Sequence, residues 1–182
     1  MSTNDSDIAD ELQFHLTQLR DGSDEERYQA VLELRISNSS HPEIVQALAK
    51  AIYDQNGHVR IMAAEALSRI NQHAQDAVPV LITVLEVADS FHVNDRPAHL
   101  KDWHRVAVGA LGNFGPSAKS ATEYLIKAVF DFDKNVSGYA ALSLGKIGST
   151  EALPALEKAL EVEKMPECRM AIIEAIGMLK SN

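Results

Sequence analysis

The sequence predicts an all-α fold, a right-handed α-α superhelix of about five stacked helix pairs. Three observations carry that expectation. The segment Asn56–Asn71 recurs as Lys101–Gly115 and Lys134–Gly148, with weaker copies at Asp24–Leu34 and Pro166–Leu179. Setting Leu34, Leu67, Leu111, Leu144 and Ile176 in register gives spacings of 33, 44, 33 and 32 residues, the period of solenoids built from helix pairs. Aromatic residues make up only 5% while Ala and Leu abound, a balance that favours helix over sheet.

Within each repeat a first helix precedes the marked one. Its apolar positions read Leu12, Leu16, Leu19; then Ile44, Leu48, Ile52; then Ala77, Leu81, Leu85; then Ala121, Leu125, Val129; then Ala152, Leu156, Leu160. Steps of three or four keep one helix face apolar. Ser23, Asn56 and Asp133 stand where a short polar side chain accepts from free helix N–H groups. Pro166 suits a first helical turn, and Pro79 and Pro154 sit early in their helices. Gly115 and Gly148 follow the apolar pattern where a left-handed residue would end a helix. Small pairs such as Ala63-Ala64 and Ala140-Ala141 let neighbouring helices approach closely. The expected repeats cover about 7–37, 41–71, 74–115, 117–148 and 149–180, in one domain over 1–182. The single long spacing marks an insertion, expected as a loop over 89–100.

Composition narrows the function classes. Hydrophobic residues are 46% and charged residues 24%, ordinary for a globular domain. The net charge of -9 arises from 26 acids and 17 bases, and residues 1–30 alone hold eight acids and two bases. Such a surface repels phosphate backbones, so no nucleic-acid partner is expected. The longest apolar run, Ala77 to Leu85, is too short for a bilayer, so no membrane partner is expected either. Cys168 is the only cysteine, which excludes an intrachain disulfide. The polar, acidic start is unlike a secretory signal, and a cytoplasmic location is the expectation.

These repeats resemble HEAT repeats of the short bacterial type named after phycobilisome lyase subunits. The resemblance is carried by Asp54, Asn56, Val59, Arg60, Ala63, Ala64, Ala66, Leu67 and Ile70, and again by Asp131, Asp133, Val136, Ala140, Ala141, Leu144, Ile147 and Gly148. The first repeat keeps Asp21 and Arg27 and the fifth keeps Arg169, while Ser137 and the pair Trp103-His104 depart from the pattern. The likeness spans about residues 10 to 180 and implies a HEAT/armadillo-like solenoid. It also implies that Arg60 and Asp54 bridge adjacent turns as a structural pair. A fold of this kind hosts many functions.

Catalytic signals are poor. There is no His-Glu dipeptide of the di-iron HEAT-like hydroxylases, no glycine-rich phosphate loop, no cysteine cluster and no HExxH motif. Cys168, aligned with Val59, reads as a buried thiol. The insertion gathers His92, His99 and His104 with Asp95 and Asp102, but their spacing matches no standard metal-ligand pattern. Long loops in compact folds often carry function, and a partner contact is one use of this one.

In a HEAT stack the second helices line the concave side. Their outward positions, with the flanking Arg105 and the insertion's last residues Trp103 and His104, give the candidate partner-binding residues Leu32, Met62, Arg69, Trp103, His104, Arg105, Val106, Tyr139, Leu142 and Lys146. An exposed apolar stripe of this kind suits a partner helix or peptide. The expectation is a non-enzymatic scaffold that binds a protein through this face and the insertion, with no cofactor. The alternative is a HEAT-type subunit of a phycobilin lyase or another tetrapyrrole-handling assembly, with Tyr139, Trp103, His104 and Arg105 around the pigment.

Overall fold

A computed structural model describes residues 5–37, 40–89 and 98–181. Among the described residues ten α-helices follow one another: α1 (Asp5–Asp21), α2 (Asp24–Ser37), α3 (Pro42–Ala51), α4 (Gly57–Arg69), α5 (Ala74–Asp89), α6 (Ala98–Asn113), α7 (Thr122–Ala128), α8 (Lys134–Ile147), α9 (Leu153–Val162) and α10 (Pro166–Lys180). Short 3-10 segments, Gly115–Ala121 and Thr150–Ala152, lead into α7 and α9. No strand occurs among the described residues. The chain divides into two compact units, 1–77 and 78–182, and the division falls inside α5.

Helix ends follow from local chemistry. The Asn56 side chain accepts from the His58 amide at 2.9 Å and starts α4; Asp133 does the same for the Asn135 amide at 2.9 Å and starts α8. Ser23 and Glu26 form a reciprocal box at the start of α2, with the Ser23 amide donating to the Glu26 carboxylate at 2.7 Å. Gly148 ends α8 at φ 78°, where its missing Cβ removes the left-handed penalty, and its amide donates to the Leu144 carbonyl at 3.1 Å. Gly115 is also left-handed, at φ 54°.

One boundary differs from the sequence expectation. Helix α6 begins at Ala98, so 98–100 are helical rather than part of a loop over 89–100. Helix α5 begins at Ala74, the start expected of the third repeat, and holds Pro79 in its second turn. Residues 90–97 of the insertion, which include His92 and Asp95, lie outside the described residues, as does the His99 side chain.

In unit 1, α1 and α2 pair, α3 and α4 pair, and α2 lies against α4. In unit 2 the second helices run in the order α6, α8, α10, with α7 behind α8 and α9 behind α10. Leu34, Leu67, Leu111 and Leu144 are all buried, as the common register requires, whereas Ile176 remains partly exposed. Small side chains set the spacing of the unit 2 row. A Cβ at Gly112 would lie 2.4 Å from the Ser143 Oγ, and one at Gly145 would lie 2.9 Å from the Met178 Sδ. The Ser143 hydroxyl uses this closeness to donate to the Val108 carbonyl at 2.7 Å, tying α8 to α6.

Candidate functional site

Two repeat positions, seven and thirteen residues before the register leucine, form the joints of the stack. In unit 1 they are filled by Arg27 and Asp54. The Arg27 Nε and Nη2 donate to the two Asp54 oxygens at 2.7 and 2.9 Å, a bidentate pair between α2 and the α3–α4 turn. Asp54 Oδ1 also accepts the Asn56 amide at 2.7 Å. Burial pushes the Asp54 carboxyl up, but the Arg27 and Asn56 hydrogen bonds outweigh it and hold the group below its usual range. The Arg27 guanidinium is correspondingly raised, first by its hydrogen bond to Asp54. Arg60 does not meet the Asp54 carboxylate. Its Nη1 donates to the backbone carbonyls of Asp54 and Gln55 at 2.8 and 3.0 Å. The carboxylate bridge expected of Arg60 therefore belongs to Arg27.

Unit 2 fills the same slots differently. His104 takes the arginine position, fully buried, with Nδ1 3.4 Å from the Asp131 Oδ2. Asp131 Oδ1 accepts the Asp133 amide at 2.8 Å. One repeat on, Ser137 donates to the Val129 carbonyl at 2.5 Å and its Oγ lies 3.3 Å from the Cys168 Sγ. Burial raises the Cys168 thiol, which fits an inert role. In the last repeat Glu163 stands in the aspartate slot. Its Oε1 accepts the Lys164 and Met165 amides at 2.8 and 2.9 Å, and its Oε2 lies 2.9 Å from the Lys134 Nζ. Those contacts, led by Lys134, lower its carboxyl to about 2. Arg169 donates to the Leu160 and Glu163 carbonyls. The −13 position had a Glu instead of an Asp, so pattern matching alone passed over Glu163.

The outward row is less uniform than the sequence suggested. Met62 is 3% exposed and His104 is fully buried, so neither stands in an exposed stripe. Met62 lies among the alanines of α4, and His104 turns inward to Asp131. Leu32 is partly exposed and Arg69 exposed in unit 1, where Arg69 Nη1 lies 3.5 Å from Glu65. In unit 2 Trp103 and Val106 are partly exposed and Lys146 is exposed. Arg105 hydrogen-bonds Asp102 and lies 3.9 Å from Asp133. Tyr139 is 50% exposed and Leu142 partly so.

Tyr139 and Leu142 meet at one groove between α8 and α10, of about 240 Å³. Gly138 and Ala171 form its floor, a Cβ on Gly138 coming within 3.6 Å of the Ala171 Cβ, and Lys134 and Glu167 stand at its rim. Ala171 belongs to the same outward register as Tyr139, whereas Lys134 and Glu167 carry no periodic signal. Among the described residues no cluster of His, Cys, Asp or Glu is arranged to hold a metal, and no helix is long and apolar enough to cross a membrane.

With the repeats and their joints in place, the comparisons with known proteins decide the family. The family model described as HEAT repeats matches residues 12–94 and 101–177, most of the chain. The chain belongs to the HEAT-repeat family. Among solved structures, this HEAT-repeat chain is similar to one in the complex of CpcE and CpcF of phycocyanin lyase from Nostoc sp. PCC7120, with 21% identity and a TM-score of 0.64. That match covers 94% of this chain but 65% of the other, so this chain spans less than two-thirds of its neighbour's length. It is also similar to an engineered protein, with 21% identity, a TM-score of 0.65, and coverage of 96% of this chain and 81% of that one. At such identities the likeness establishes the fold, a HEAT/armadillo-like helical solenoid. No curated protein sequence matches the chain.

Proposed function

We propose that the chain is a non-enzymatic interaction module that holds a helical or extended segment of a protein partner at the α8–α10 groove. The observation that carries this reading is Tyr139, an aromatic side chain half exposed beside a floor made of Gly138 and Ala171. Aromatic anchors next to small-residue floors concentrate binding energy at protein interfaces. Leu142 extends the apolar side, and the exposed Lys146 offers positive charge to an acidic neighbour on the partner. The insertion supplies a further contact in this reading. The groove's size also supports a side chain over a pigment, since about 240 Å³ falls below the roughly 300 Å³ lower end of small-molecule pockets.

The test is a selection of displayed peptides against the intact chain. Tyr139→Ala with Leu142→Ala should weaken the selected peptides by at least about tenfold while leaving helical circular dichroism unchanged. Peptides that bind the double variant as tightly as the parent would end the reading.

The likeness to a phycocyanin lyase complex supports a second reading, a subunit of a tetrapyrrole-handling assembly. Here Tyr139, Trp103 and Arg105 would face the pigment, His104 being too deeply buried to do so. Titration with a free bilin and with haem discriminates the two: an induced, saturable visible band that Tyr139→Ala abolishes supports the pigment reading, and its absence removes it.

A further inference from the structure

We infer that Arg35 and Arg69 form a binding site for a single carboxylate, the acidic side chain of a peptide segment, with buried Glu65 holding the two guanidiniums side by side. The site lies wholly in unit 1, on α2 and α4, and uses no residue of the α8–α10 groove.

Hydrogen bonding separates these two arginines from the others. The guanidiniums of Arg20, Arg27, Arg60, Arg105 and Arg169 each donate to a carboxylate or a carbonyl. Among the described residues only Arg35 and Arg69 have guanidiniums that donate no hydrogen bond, and both face one carboxylate. Arg35 Nη1 lies 3.7 Å from the Glu65 Oε2, and Arg69 Nη1 lies 3.5 Å from the Glu65 Oε1. Arg35 Nε and Glu65 Oε2 are buried without a hydrogen-bond partner among the described residues. Buried polar atoms ordinarily have one. A closed pair in the same unit looks different: Arg27 meets both Asp54 oxygens at 2.7 and 2.9 Å.

The register explains how the cluster arises. Arg35 follows the register leucine of its repeat, a place filled in the later repeats by Ser68, Gly112, Gly145 and Gly177. At Gly112 and Gly145 that place is a spacer, close to Ser143 and Ala175 of the next second helix. An arginine cannot act as a spacer, and Arg35 reaches Glu65 instead. The Arg35 and Arg69 side chains stay 30% and 47% exposed while that of Glu65 is 11% exposed. An incoming group therefore meets the two cations before the carboxylate between them.

Charge and shape choose the ligand. Two guanidiniums and one carboxylate leave a single positive charge, which one further carboxylate neutralises; a phosphate dianion would overfill a site that already holds Glu65. The planar guanidinium matches carboxylate oxygens in pairs. Leu32, partly exposed, and Ile36, 67% exposed, flank Arg35 on α2 at the positions that Glu65 and Arg69 hold on α4. Those apolar neighbours suit an acidic residue carried in a peptide over a free small acid.

The test follows the arginine Nε–Hε resonances of the full chain by NMR at constant ionic strength. The probe is acetyl-Leu-Glu-Leu-amide from about 0.1 to about 20 mM, a range suited to a millimolar dissociation constant. Saturable shifts of Arg35 and Arg69 are expected. Acetyl-Leu-Gln-Leu-amide should bind at least about tenfold more weakly, as should Arg35→Gln and Arg69→Gln with the parent probe. Acetate should shift the same resonances with lower affinity, and methyl phosphate should bind the parent more weakly than the peptide does. Glu65→Gln should reverse that last preference by removing the charge that disfavours a dianion. The absence of saturable shifts, equal binding of the glutamine peptide, parent-like binding by Arg69→Gln, or a parent that prefers methyl phosphate overturns the proposal. Acetate as tight as the peptide overturns the peptide source, and an unchanged preference in Glu65→Gln overturns the part given to Glu65. If Arg35→Gln or Glu65→Gln fails to fold, Arg69→Gln at its exposed side chain and the ligand series still decide the site.

Discussion

The two compact units fill one joint with different chemistry. In unit 1, Arg27 grips Asp54 through two hydrogen bonds, with both side chains 11% exposed. In unit 2, His104 approaches Asp131 by one nitrogen at 3.4 Å, with side chains 0% and 4% exposed. Both carboxylates keep the same second task, accepting the amide two residues ahead through Oδ1. The lesson is that the carboxylate shapes the turn between paired helices, and the upstream residue need only complement it. The joint therefore accepts a forked guanidinium or a compact imidazole.

The largest effect should come from breaking the guanidinium joint. Arg27→Ala leaves Asp54 with little exposure and without its charged partner, and should cost about 3–5 kcal/mol in chemical denaturation. His104→Ala removes the longer contact to Asp131 and a buried ring, and should cost less, about 2 kcal/mol. Equal losses would mean that the two joints do the same work despite their geometry. A larger loss for His104→Ala would reverse the comparison, making burial of the ring more important than the bidentate pair.

The last repeat sharpens the point through pH. Glu163 occupies the carboxylate slot, 9% exposed, with Lys134 and two amides holding its carboxyl down to about 2 from a reference of 4.5. A carboxyl whose folded value lies below its unfolded value stabilises the fold above the unfolded value. That contribution is lost as pH falls from about 4.5 toward about 2, and by linkage it is worth roughly 3 kcal/mol. Glu163→Gln should flatten this part of the stability–pH curve between those limits. A variant curve parallel to the parent's would show that Glu163 does not couple protonation to folding.

The architecture was legible because its signals are local and repeated. Leucines in a common register and caps such as Asn56 and Asp133 recur with the helices they build, so five weak patterns reinforce one another. The candidate site was less legible, because exposure depends on what packs beside a residue. Met62 and Tyr139 share an outward register, yet one is 3% exposed and the other 50%. Beside Tyr139, Gly138 and Ala171 line an open groove, whereas Met62 begins an unbroken buried stretch of α4 that runs to Ser68. Glu163 was hidden for a chemical reason. A glutamate reaches the same amides as an aspartate with one more methylene, and a pattern written in residue letters does not see that.

The smallest expected effect compares the caps of the two units. Asn56 and Asp133 accept from the amide two residues ahead at the same 2.9 Å, in equivalent turns before α4 and α8. Replacing either by Ala should cost about 1 kcal/mol, read as a shift in denaturation midpoint at unchanged slope. Asp133 also carries charge at a helix N-terminus, where the dipole favours it by about 0.3–1 kcal/mol. Asp133→Asn should therefore keep the hydrogen bond and lose the electrostatic part, the dipole's together with that of Arg105 at 3.9 Å, and high salt should erase the difference from the parent. If Asp133→Asn costs as much as Asp133→Ala, the charge matters more than the hydrogen bond, and the two caps are equivalent in geometry alone.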